Sequence, residues 1–300
     1  MEALNGWLVT NRFLNTRKFT ELTALLSGAA ERLGVSLSVY TNDELLPAMG
    51  GPGAWEHDSL PEEKPDFVLF YDKDTRLAAQ LERRGMRLFN SARAIALCDD
   101  KSLMHLELDG RIPQPLTVCA PFTYENIGYN SLDFVEKMFD LIGSPLVMKE
   151  ACGSFGQQVY LARDIEEAKA LLEYIGGKRV IFQQFISESA GRDLRLNVVG
   201  GRVIAAMERW SEHGDFRANI SNGGSMRAHT PTADEEELAI RAAELLGLDF
   251  CGVDLLLSDN GPLLCEVNSN AHFKSIMQCT GVNAADEIMA HIVRTVSEGE

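Results

Sequence analysis

Three oxygen-bearing side chains near the C-terminus have the spacing of a metal site. Residues 251–270 read CGVDLLLSDNGPLLCEVNSN, two apolar runs joined by Asp-Asn-Gly, a composition that favours a tight β-hairpin. In a hairpin symmetric about Asn260, Asp254 lies opposite Glu266, and Asn268 lies one diagonal step along. Opposed carboxylates repel each other or share a proton, and a hard cation relieves that conflict. We therefore predict that these three residues bind Mg²⁺, with Mn²⁺ as an alternative; the other interpretation is a solvated sheet face with two unrelated acids.

The same register predicts an apolar face on the other side of the hairpin. It is formed by three opposed pairs: Val253 with Val267, Leu255 with Cys265, and Leu257 with Leu263. Because side chains alternate between the two faces of a strand, a slip of one residue would move both carboxylates to the apolar face. The metal prediction therefore depends on the pairing of Asp254 with Glu266.

A lysine and a glycine loop lie between two further strand candidates. Residues 145–160 read PLVMKEACGSFGQQVY, and glycine lets backbone N–H groups approach an anion closely. The loop is not a Walker A motif, and an ordinary hairpin turn has a similar composition. Lys149 interrupts an apolar run, so it either ends the strand in solvent or contacts a negative group such as a phosphate. Lys101 occurs in a helical stretch, where an exposed lysine is the commoner interpretation.

The strand predicted at 179–186 connects the glycine-loop region to the part of the chain that carries the hairpin. Its backbone could bond an adenine and Phe185 could pack on the ring, or the strand could simply belong to the core. In the next strand Asp193 and Arg195 share one face, which suits either a ribose and an anion or a simple ion pair.

Several basic residues accompany the metal hairpin. Arg217 and Asn219 have the same two-residue spacing in a polar loop, and Lys274 follows the hairpin closely. If these groups converge with Arg195, they indicate an anionic substrate. Of the six histidines, only His272 adjoins the hairpin, and none has the spacing of metal ligands.

Composition excludes some classes of function. The chain has 300 residues, a formal charge of −16 and a pI near 4.8, which argues against non-specific nucleic-acid binding. The six cysteines include no C-x-x-C pair, so reduced thiols and a cytoplasmic location are expected. No apolar run is long enough to span a membrane, and the N-terminus lacks the pattern of a secretory signal.

The order of elements predicts an α/β protein with three units. Strands alternate with helices in residues 1–95, which favours a parallel, doubly wound sheet, although no dinucleotide-binding glycine motif follows the first strand. One helix is predicted from 91 to about 108. We expect a central unit at 96–186 with the glycine loop, and a C-terminal unit at 187–300 with the metal hairpin.

Taken together, the motifs resemble the ATP-grasp superfamily, and within it the RimK-type ligases that add glutamate to an amine. The resemblance begins near residue 91 and continues to the C-terminus. It is carried by five ordered blocks: DDK at 99–101, PLVMKEACGSFGQQV at 145–159, QQFISESAGRDLRLNVVGGRVIAAMER at 183–209, GDFRANISNGG at 214–224 and GVDLLLSDNGPLLCEVN at 252–268. It implies an ATP-grasp fold preceded by an α/β pre-ATP-grasp domain.

The resemblance also implies a role for individual residues. Lys101 and Lys149 would bind the phosphates of ATP, with Ser154 in a glycine loop that closes over them. The remaining nucleotide contacts would be Gln184, Phe185 and Ile186 at the adenine, Asp193 at the ribose, and Arg217 and Asn219 at the phosphates, with Arg217 and Lys149 acting in catalysis. Asp254, Glu266 and Asn268 would hold magnesium.

The chain departs from the RimK pattern just after the metal hairpin. RimK-type ligases usually read N-A-S-P-G-L-E, whereas residues 268–274 read NSNAHFK, and this segment with TGVN at 280–283 is similar to the lysine-biosynthesis carrier-protein ligases. Candidate substrate-binding residues are Arg195, Asn270, His272 and Lys274.

The implied activity is formation of an amide from a carboxylate and an amine through an acyl phosphate. The carboxylate would be an acidic amino acid such as glutamate, and the acceptor a small molecule, peptide or carrier protein. A small-molecule kinase and a non-catalytic nucleotide-binding regulator are the alternatives. A homo-oligomer is compatible with the pattern, whereas nucleic-acid and membrane partners are not expected.

Overall fold

Three β-sheets follow one another along the part of the chain that this structure, a computed structural model, describes: residues 3–14, 16–153, 158–212, 214–218 and 224–299. Helices cover the sheets, so the α/β class predicted from the sequence is confirmed. None of the helices within these ranges is both long enough and apolar enough to cross a membrane.

The first sheet is parallel and doubly wound, as the alternation of strands and helices predicts. Its order is β2-β1-β3-β4. Leu8 packs toward α1 on one face, whereas Trp7 and Val9 pack toward α2 on the other. The elements are β1 (Asn5–Thr10), α1 (Arg17–Arg32), β2 (Ser36–Thr41), β3 (Phe67–Phe70), α2 (Thr75–Arg83) and β4 (Leu88–Phe89).

The helix predicted from 91 to 108 is in fact two helices, α3 (Ala92–Asp99) and α4 (Lys101–Leu108), so the prediction of one helix was wrong. Asp100 leaves the helical conformation, and its carboxylate accepts hydrogen bonds from the backbone N–H groups of Ser102 (2.9 Å) and Leu103 (3.2 Å). Aspartate favours this capping position over a helix interior. The break lets the backbone N–H of Lys101 bond to Ala151 O at 2.9 Å, beside the glycine loop.

The second sheet is antiparallel, with the order β5-β8-β6-β7. Met148 and Phe182 pack on the helices of one face, and Val147 and Lys149 alternate with Met148 onto the other. The elements are β5 (Thr117–Cys119), α5 (Phe134–Ile142), β6 (Leu146–Glu150), β7 (Val159–Ala162), α6 (Ile165–Ile175) and β8 (Val180–Gln184).

The third sheet is also antiparallel, with the order β11-β10-β9-β12-β13. Gly200 and Gly201 form the tight turn between β9 and β10, and both have the positive φ that glycine tolerates. The elements are β9 (Arg192–Val199), β10 (Arg202–Trp210), β11 (Ser225–Ala228), α7 (Ala233–Leu246), β12 (Phe250–Leu256), β13 (Leu263–Asn268), α8 (Lys274–Thr280) and α9 (Ala284–Glu298).

Two helices pack outside the sequence units to which they were assigned. Met104 and Leu108 of α4 lie in the apolar core that α7 forms with the third sheet. Ile288 and Met289 of α9 lie in one core with α1 and the first sheet. The three sheets fall within 1–95, 96–186 and 187–300, but the boundaries themselves stay predictions.

The hairpin of β12 and β13 has the predicted register at its open end only. Val253 pairs with Val267 and Asp254 with Glu266, after which the register shifts and Leu255 pairs with Leu264. The predicted pairs Leu255–Cys265 and Leu257–Leu263 were therefore wrong. The physical reason is a β-bulge, in which one strand carries an extra residue, here Cys265, and local side-chain direction changes.

The buried side chain of Asn90 connects the first sheet to the third. Its Nδ2 donates to Phe250 O (2.9 Å) and Ser269 O (3.0 Å), and its Oδ1 accepts from the backbone N–H of Asp249 at 2.7 Å. The amide thus supplies hydrogen-bond partners to backbone groups at the start of β12 and just after the end of β13.

Replacing Asn90 with alanine should destabilise the protein without touching the cleft. Each buried backbone group left without a partner costs about 1–3 kcal/mol, so we expect Asn90→Ala to lower the free energy of unfolding by about 2–4 kcal/mol. Urea denaturation followed by circular dichroism measures the change. Asn130→Ala, at an exposed asparagine, is the matched control, and an equal effect of both variants would contradict the assigned role.

Candidate active site

A cleft of about 480 Å³ lies between the second and third sheets and is closed at one end by the first unit. It gathers most of the predicted site residues. These are Lys101, Lys149, Gln184, Phe185, Ile186, Asp193, Arg195, Arg217, Asp254, Glu266, Asn268, Asn270 and His272. The predictions for Ser154 and Asn219 concern residues outside the described ranges.

The two predicted phosphate-binding lysines are both buried, each 5% exposed. Lys149 is the next-to-last residue of β6, and its Nζ is 3.6 Å from Cys265 Sγ. Lys101 begins α4, and its Nζ donates to Gly153 O at 3.1 Å and is 3.5 Å from Glu266 Oε1. The exposed-lysine interpretation is therefore wrong for both, and two buried ammonium groups in one cleft favour an anionic ligand.

The three predicted metal ligands line the cleft together. Asp254 and Glu266 are direct cross-strand neighbours, and Asn268 is two residues beyond Glu266 in β13. The described residues contain no cluster of three His, Cys, Asp or Glu side chains able to hold a metal, and the predicted donor set differs from such a cluster in having the Asn268 amide as its third member. Two carboxylates and an amide oxygen are hard donors, and they fit Mg²⁺.

Four charged side chains form a buried network on the floor of the cleft. Arg209 binds Asp193 through two hydrogen bonds, Nε–Oδ1 of 2.6 Å and Nη2–Oδ2 of 2.7 Å. Its Nη2 also lies 3.1 Å from Asp254 Oδ1. Arg195 binds Asp254 in the same two-point manner, with Nη2–Oδ2 at 2.6 Å. The sequence left open whether Asp193 and Arg195 pair with each other, and the structure pairs each with a different partner.

Burial and pairing act in opposite directions on the pKa values of this network. Burial raises the pKa of Asp254, but Arg195 and Arg209 outweigh burial and lower it below the usual range. Burial dominates at Asp193, whose pKa is raised although Arg209 and Arg195 oppose the shift. Asp254 is therefore ionised at neutral pH, which is the state that its predicted metal-binding role requires.

The first unit contributes a wall that was not predicted from the sequence. Asp72 and Lys73 lie two and three residues beyond the end of β3, and Lys18 lies in the first turn of α1. Asp72 accepts two hydrogen bonds from the amide of Asn11 at 3.1 Å each, and burial raises its pKa. The carboxyl edge of a parallel sheet is a common ligand site, so the position of Asp72 and Lys73 was a usable signal.

The candidate substrate residues separate into two groups. Asn270 donates to Asp72 O at 2.6 Å, and His272 packs edge-on against Phe19, with ring centroids 4.7 Å apart. Burial, with smaller contributions from Lys18 and Arg195, lowers the pKa of His272 to about 4, so the ring is neutral at pH 7. Lys274 is not among the residues that line the cleft, and its ammonium group pairs with Glu21.

The family model of the RimK-like ATP-grasp domain matches residues 120–292. The chain belongs to the RimK-like ATP-grasp family. Members of this family are ATP-dependent ligases, and this RimK-like protein is one. The family predicted from the five sequence blocks is thus confirmed, and so is the ATP-grasp fold.

Curated relatives match most of the RimK-like chain. A probable alpha-L-glutamate ligase from Marinomonas sp. (strain MWYL1) is 32% identical over 302 residues, covering 95% of this chain and 93% of that protein. Another from Maridesulfovibrio salexigens is 36% identical over 226 residues, covering 74% of this chain and 72% of that protein.

Solved structures share the fold at lower sequence identity. The RimK domain protein ATP-grasp from Sphaerobacter thermophilus has a TM-score of 0.71 at 23% identity, covering 96% of this chain and 98% of that one. The D-alanine–D-alanine ligase from Bacillus anthracis, solved in complex with ATP, has a TM-score of 0.71 at 16% identity and full coverage of both chains.

Two further cleft residues were missed for a structural reason. Cys265 was assigned to the apolar face of the hairpin, and the bulge brings it to the cleft beside Lys149. Arg209 was not considered; it lies opposite Asp193 because the β9–β10 register shifts by one residue between Val203 and Ala205. Counting outward from the Gly200-Gly201 turn would have set Glu208 opposite Asp193, and the sequence has no signal for either register shift.

Removing Arg209 should destabilise the protein strongly. The substitution Arg209→Met leaves the buried Asp193 without its counter-charge and removes one of the two arginines beside Asp254, and breaking a buried pair in this way costs about 3–5 kcal/mol. The free energy of unfolding from urea titration measures this loss.

Arg227→Met is the control for Arg209→Met. Arg227 lies in the neighbouring strand β11, is 69% exposed in its side chain and pairs with Glu208. Exposed pairs contribute roughly 0–1 kcal/mol, so the control should unfold close to the wild type. A small effect of Arg209→Met would show that Arg209 does not compensate the buried charge of Asp193.

Proposed function

We propose that the protein is an ATP- and Mg²⁺-dependent carboxylate–amine ligase that forms an amide through an acyl phosphate. The carboxylate substrate is an acidic amino acid such as glutamate, and the acceptor is the amine of a small molecule, peptide or carrier protein. The observation that carries the proposal is the convergence of two buried lysines and the Asp254, Glu266 and Asn268 oxygens in one cleft. The names of the curated relatives support the choice of glutamate.

The nucleotide lies along the second sheet in this proposal. Lys101, Lys149 and Arg217 contact the phosphates, Phe185 and Ile186 pack on the base, and Gln184 contributes its backbone. Asp193 contacts the ribose with the lone pairs that Arg209 leaves free, since each carboxylate oxygen accepts more than one hydrogen bond. Arg217 is positioned for the phosphate end by Asp215, whose Oδ2 accepts from Nη2 at 2.7 Å.

The carboxylate substrate lies at the end of the cleft closed by the first unit. Basic side chains outnumber acidic ones around the whole cleft: Lys18, Lys73, Lys101, Lys149, Arg192, Arg195, Arg209 and Arg217 against Asp72, Asp193, Asp254 and Glu266. This local excess attracts an anion to a protein whose net charge is −16. Arg195, Asn270 and His272 are the proposed contacts.

Three residues that the sequence predicted to contact a ligand have no assigned contact in this arrangement. Lys274 pairs with Glu21, next to Ser275, which does line the cleft. Its role, like those of Ser154 and Asn219, stays a prediction.

The reaction requires positioning and charge neutralisation and no covalent protein nucleophile. A carboxylate oxygen attacks the γ-phosphorus, the bond to the β-phosphate oxygen breaks, and ADP leaves. The amine then attacks the acyl carbon and phosphate leaves. Lys101, Lys149 and Arg217 offset the negative charge that accumulates on the transferred group. When bound to Asp254, Glu266 and Asn268, Mg²⁺ would neutralise further phosphate charge.

Product analysis tests the activity. Purified protein incubated with ATP, Mg²⁺, glutamate and a panel of amines and peptides should release ADP and yield a conjugate heavier by one glutamate residue in mass spectrometry. Added hydroxylamine should intercept the acyl phosphate as a hydroxamate. A phosphorylated product that persists would indicate a kinase instead, and absence of ADP release across acidic amino acids and amines would contradict the proposal.

Lys149 provides a variant for the same assay. Loss of a charge-assisted hydrogen bond to phosphate costs about 1.5–3 kcal/mol, so Lys149→Met should reduce kcat/KM for ATP by about 10- to 150-fold. Lys137→Met, at an exposed lysine of α5, is the matched control and should match the wild type.

The metal site predicts a specific change in Mg²⁺ dependence. Glu266→Gln keeps the shape of the side chain but removes one negative charge from the donor set, so the Mg²⁺ concentration at half-maximal ADP release should rise about 10-fold or more. Glu173→Gln, at an exposed residue of α6, is the control. An unchanged Mg²⁺ titration would remove Glu266 from the metal site.

A further inference from the structure

Four acidic side chains line the cleft, and they differ in what neutralises them. Asp193 and Asp254 bond to arginines, and Glu266 Oε1 lies 3.5 Å from the ammonium nitrogen of Lys101. Asp72, which is only 5% exposed, forms no ion pair with a basic side chain in the part of the chain that the structure describes. A buried carboxylate is costly without a counter-charge, so this position favours a cationic group of a ligand.

The hydrogen-bond partners of the Asp72 carboxylate are neutral donors. Asn11 Nδ2 lies 3.1 Å from each carboxylate oxygen, and the backbone N–H of Lys73 donates to Oδ1 at 2.7 Å. The direction of the Asn11 amide is set by the chain, because its Oδ1 accepts from the backbone N–H of Phe13 at 2.9 Å. The carboxylate is the acceptor in each of these bonds, which is the role of its ionised form.

These neutral donors do not compensate for the water that the Asp72 carboxylate has lost. Burial has the largest effect on Asp72 and raises its pKa above the usual range, whereas the two arginines beside Asp254 lower the pKa of that carboxyl. An ammonium group placed beside Asp72 would oppose the effect of burial and stabilise the ionised form.

A second acceptor lies at the same end of the cleft. Asn270 Nδ2 donates to the backbone oxygen of Asp72 at 2.6 Å, which leaves the amide oxygen of Asn270 on the other side of the group. This Oδ1 is buried and has no hydrogen-bond partner among the described residues. Because Asn270 lines the cleft, a ligand N–H group can supply the missing donor.

The two acceptors come from different parts of the chain and are held together by a neighbouring hydrogen bond. Tyr71 Oη donates to Ala271 O at 2.6 Å, and these two residues are the chain neighbours of Asp72 and Asn270. Tyr71 is itself buried. The relative position of the two acceptors is therefore set by the contact between the first unit and the segment that follows β13.

We propose that Asp72 and the amide oxygen of Asn270 bind the α-ammonium group of the amino acid whose carboxylate is activated. An ammonium group has three hydrogens to donate, so it can neutralise the carboxylate and bond to the amide oxygen together. Arg195, which lines the same cleft, remains the contact for a carboxylate of this substrate. The inference rests on the proposed function and assigns the residues that distinguish an amino acid from a simple dicarboxylic acid.

The test measures hydroxamate formation, in which hydroxylamine replaces the amine substrate and only the carboxylate substrate varies. L-glutamate is compared with glutarate, which has both carboxylates and no ammonium group, and with N-acetyl-L-glutamate, whose nitrogen is uncharged. Loss of a charge-assisted hydrogen bond reduces kcat/KM by about 10- to 150-fold, so the wild type should prefer L-glutamate to either analogue by a factor in this range.

Two substitutions remove the two acceptors separately. Asp72→Asn keeps the shape of the side chain and removes its charge, so kcat/KM for L-glutamate should fall by about 10- to 150-fold and the ratio of L-glutamate to glutarate should approach one. Asn270→Leu removes the buried oxygen and should lower the same ratio by about 5- to 10-fold. Asp140→Asn, at an exposed aspartate of α5, is the matched control and should keep the wild-type ratio.

The ratio of substrates separates recognition from a structural role. A purely structural role of Asp72 would lower activity with all three carboxylates by the same factor, so an unchanged ratio in Asp72→Asn overturns the assignment. An Asp72→Asn variant that keeps the ratio with hydroxylamine and fails only with amine substrates also overturns it, because the bound ammonium would then belong to the amine substrate.

The wild type alone separates this assignment from the proposed function. A wild type that uses glutarate as efficiently as L-glutamate overturns the ammonium site and leaves the ligase activity intact. A wild type that forms no hydroxamate from any acidic amino acid refutes the proposed function, and the assignment with it.

Discussion

The pairing of buried charges beneath the cleft is the interaction on which the site depends. Asp193, Arg209, Asp254 and Arg195 are held by two-point hydrogen bonds on neighbouring strands β9, β10 and β12. Taking a carboxylate out of water is costly unless a cation and good geometry compensate. The register of three strands must therefore be right before Asp254 can be ionised inside the protein. A wrong register would leave two charges buried without partners.

The anionic substrate of the proposed function would meet a local excess of basic side chains in an otherwise acidic protein. The net charge of −16 is distributed over the whole chain, whereas the cleft contains a local excess of lysine and arginine. Lys101 and Lys149 are buried among apolar strands, where their charge is weakly screened and acts strongly on a nearby ligand. The overall composition argues against non-specific nucleic-acid binding, but it does not show that basic side chains gather in one cleft.

The three sheets contribute different functions to one cleft. In the proposed function the second sheet provides the surface for the nucleotide and the third provides the oxygen donors for Mg²⁺, above the charged network that the structure shows. The first sheet closes the end of the cleft with Asp72 and Lys73, at the carboxyl edge of its parallel strands. Asn90 and the packing of α9 on α1 hold this first unit against the third, so the wall and the floor of the cleft keep their relative positions.

The sequence by itself determined the family, most helices and strands, and the facing pair Asp254 and Glu266. These follow from local rules: the two-residue period of strands, the turn preference of Asp-Asn-Gly and Gly-Gly, and motifs whose order along the chain is specific.

Only the tertiary structure decided the break at Asp100, the bulge at Cys265, and the burial of Lys101 and Lys149. It alone also paired Asp193 with Arg209 and Arg195 with Asp254. Each of these depends on a residue that is distant along the chain, as when the backbone of Lys101 bonds to Ala151. Local periodicity carries no information about such contacts, because their energy arises only when the sheets have assembled.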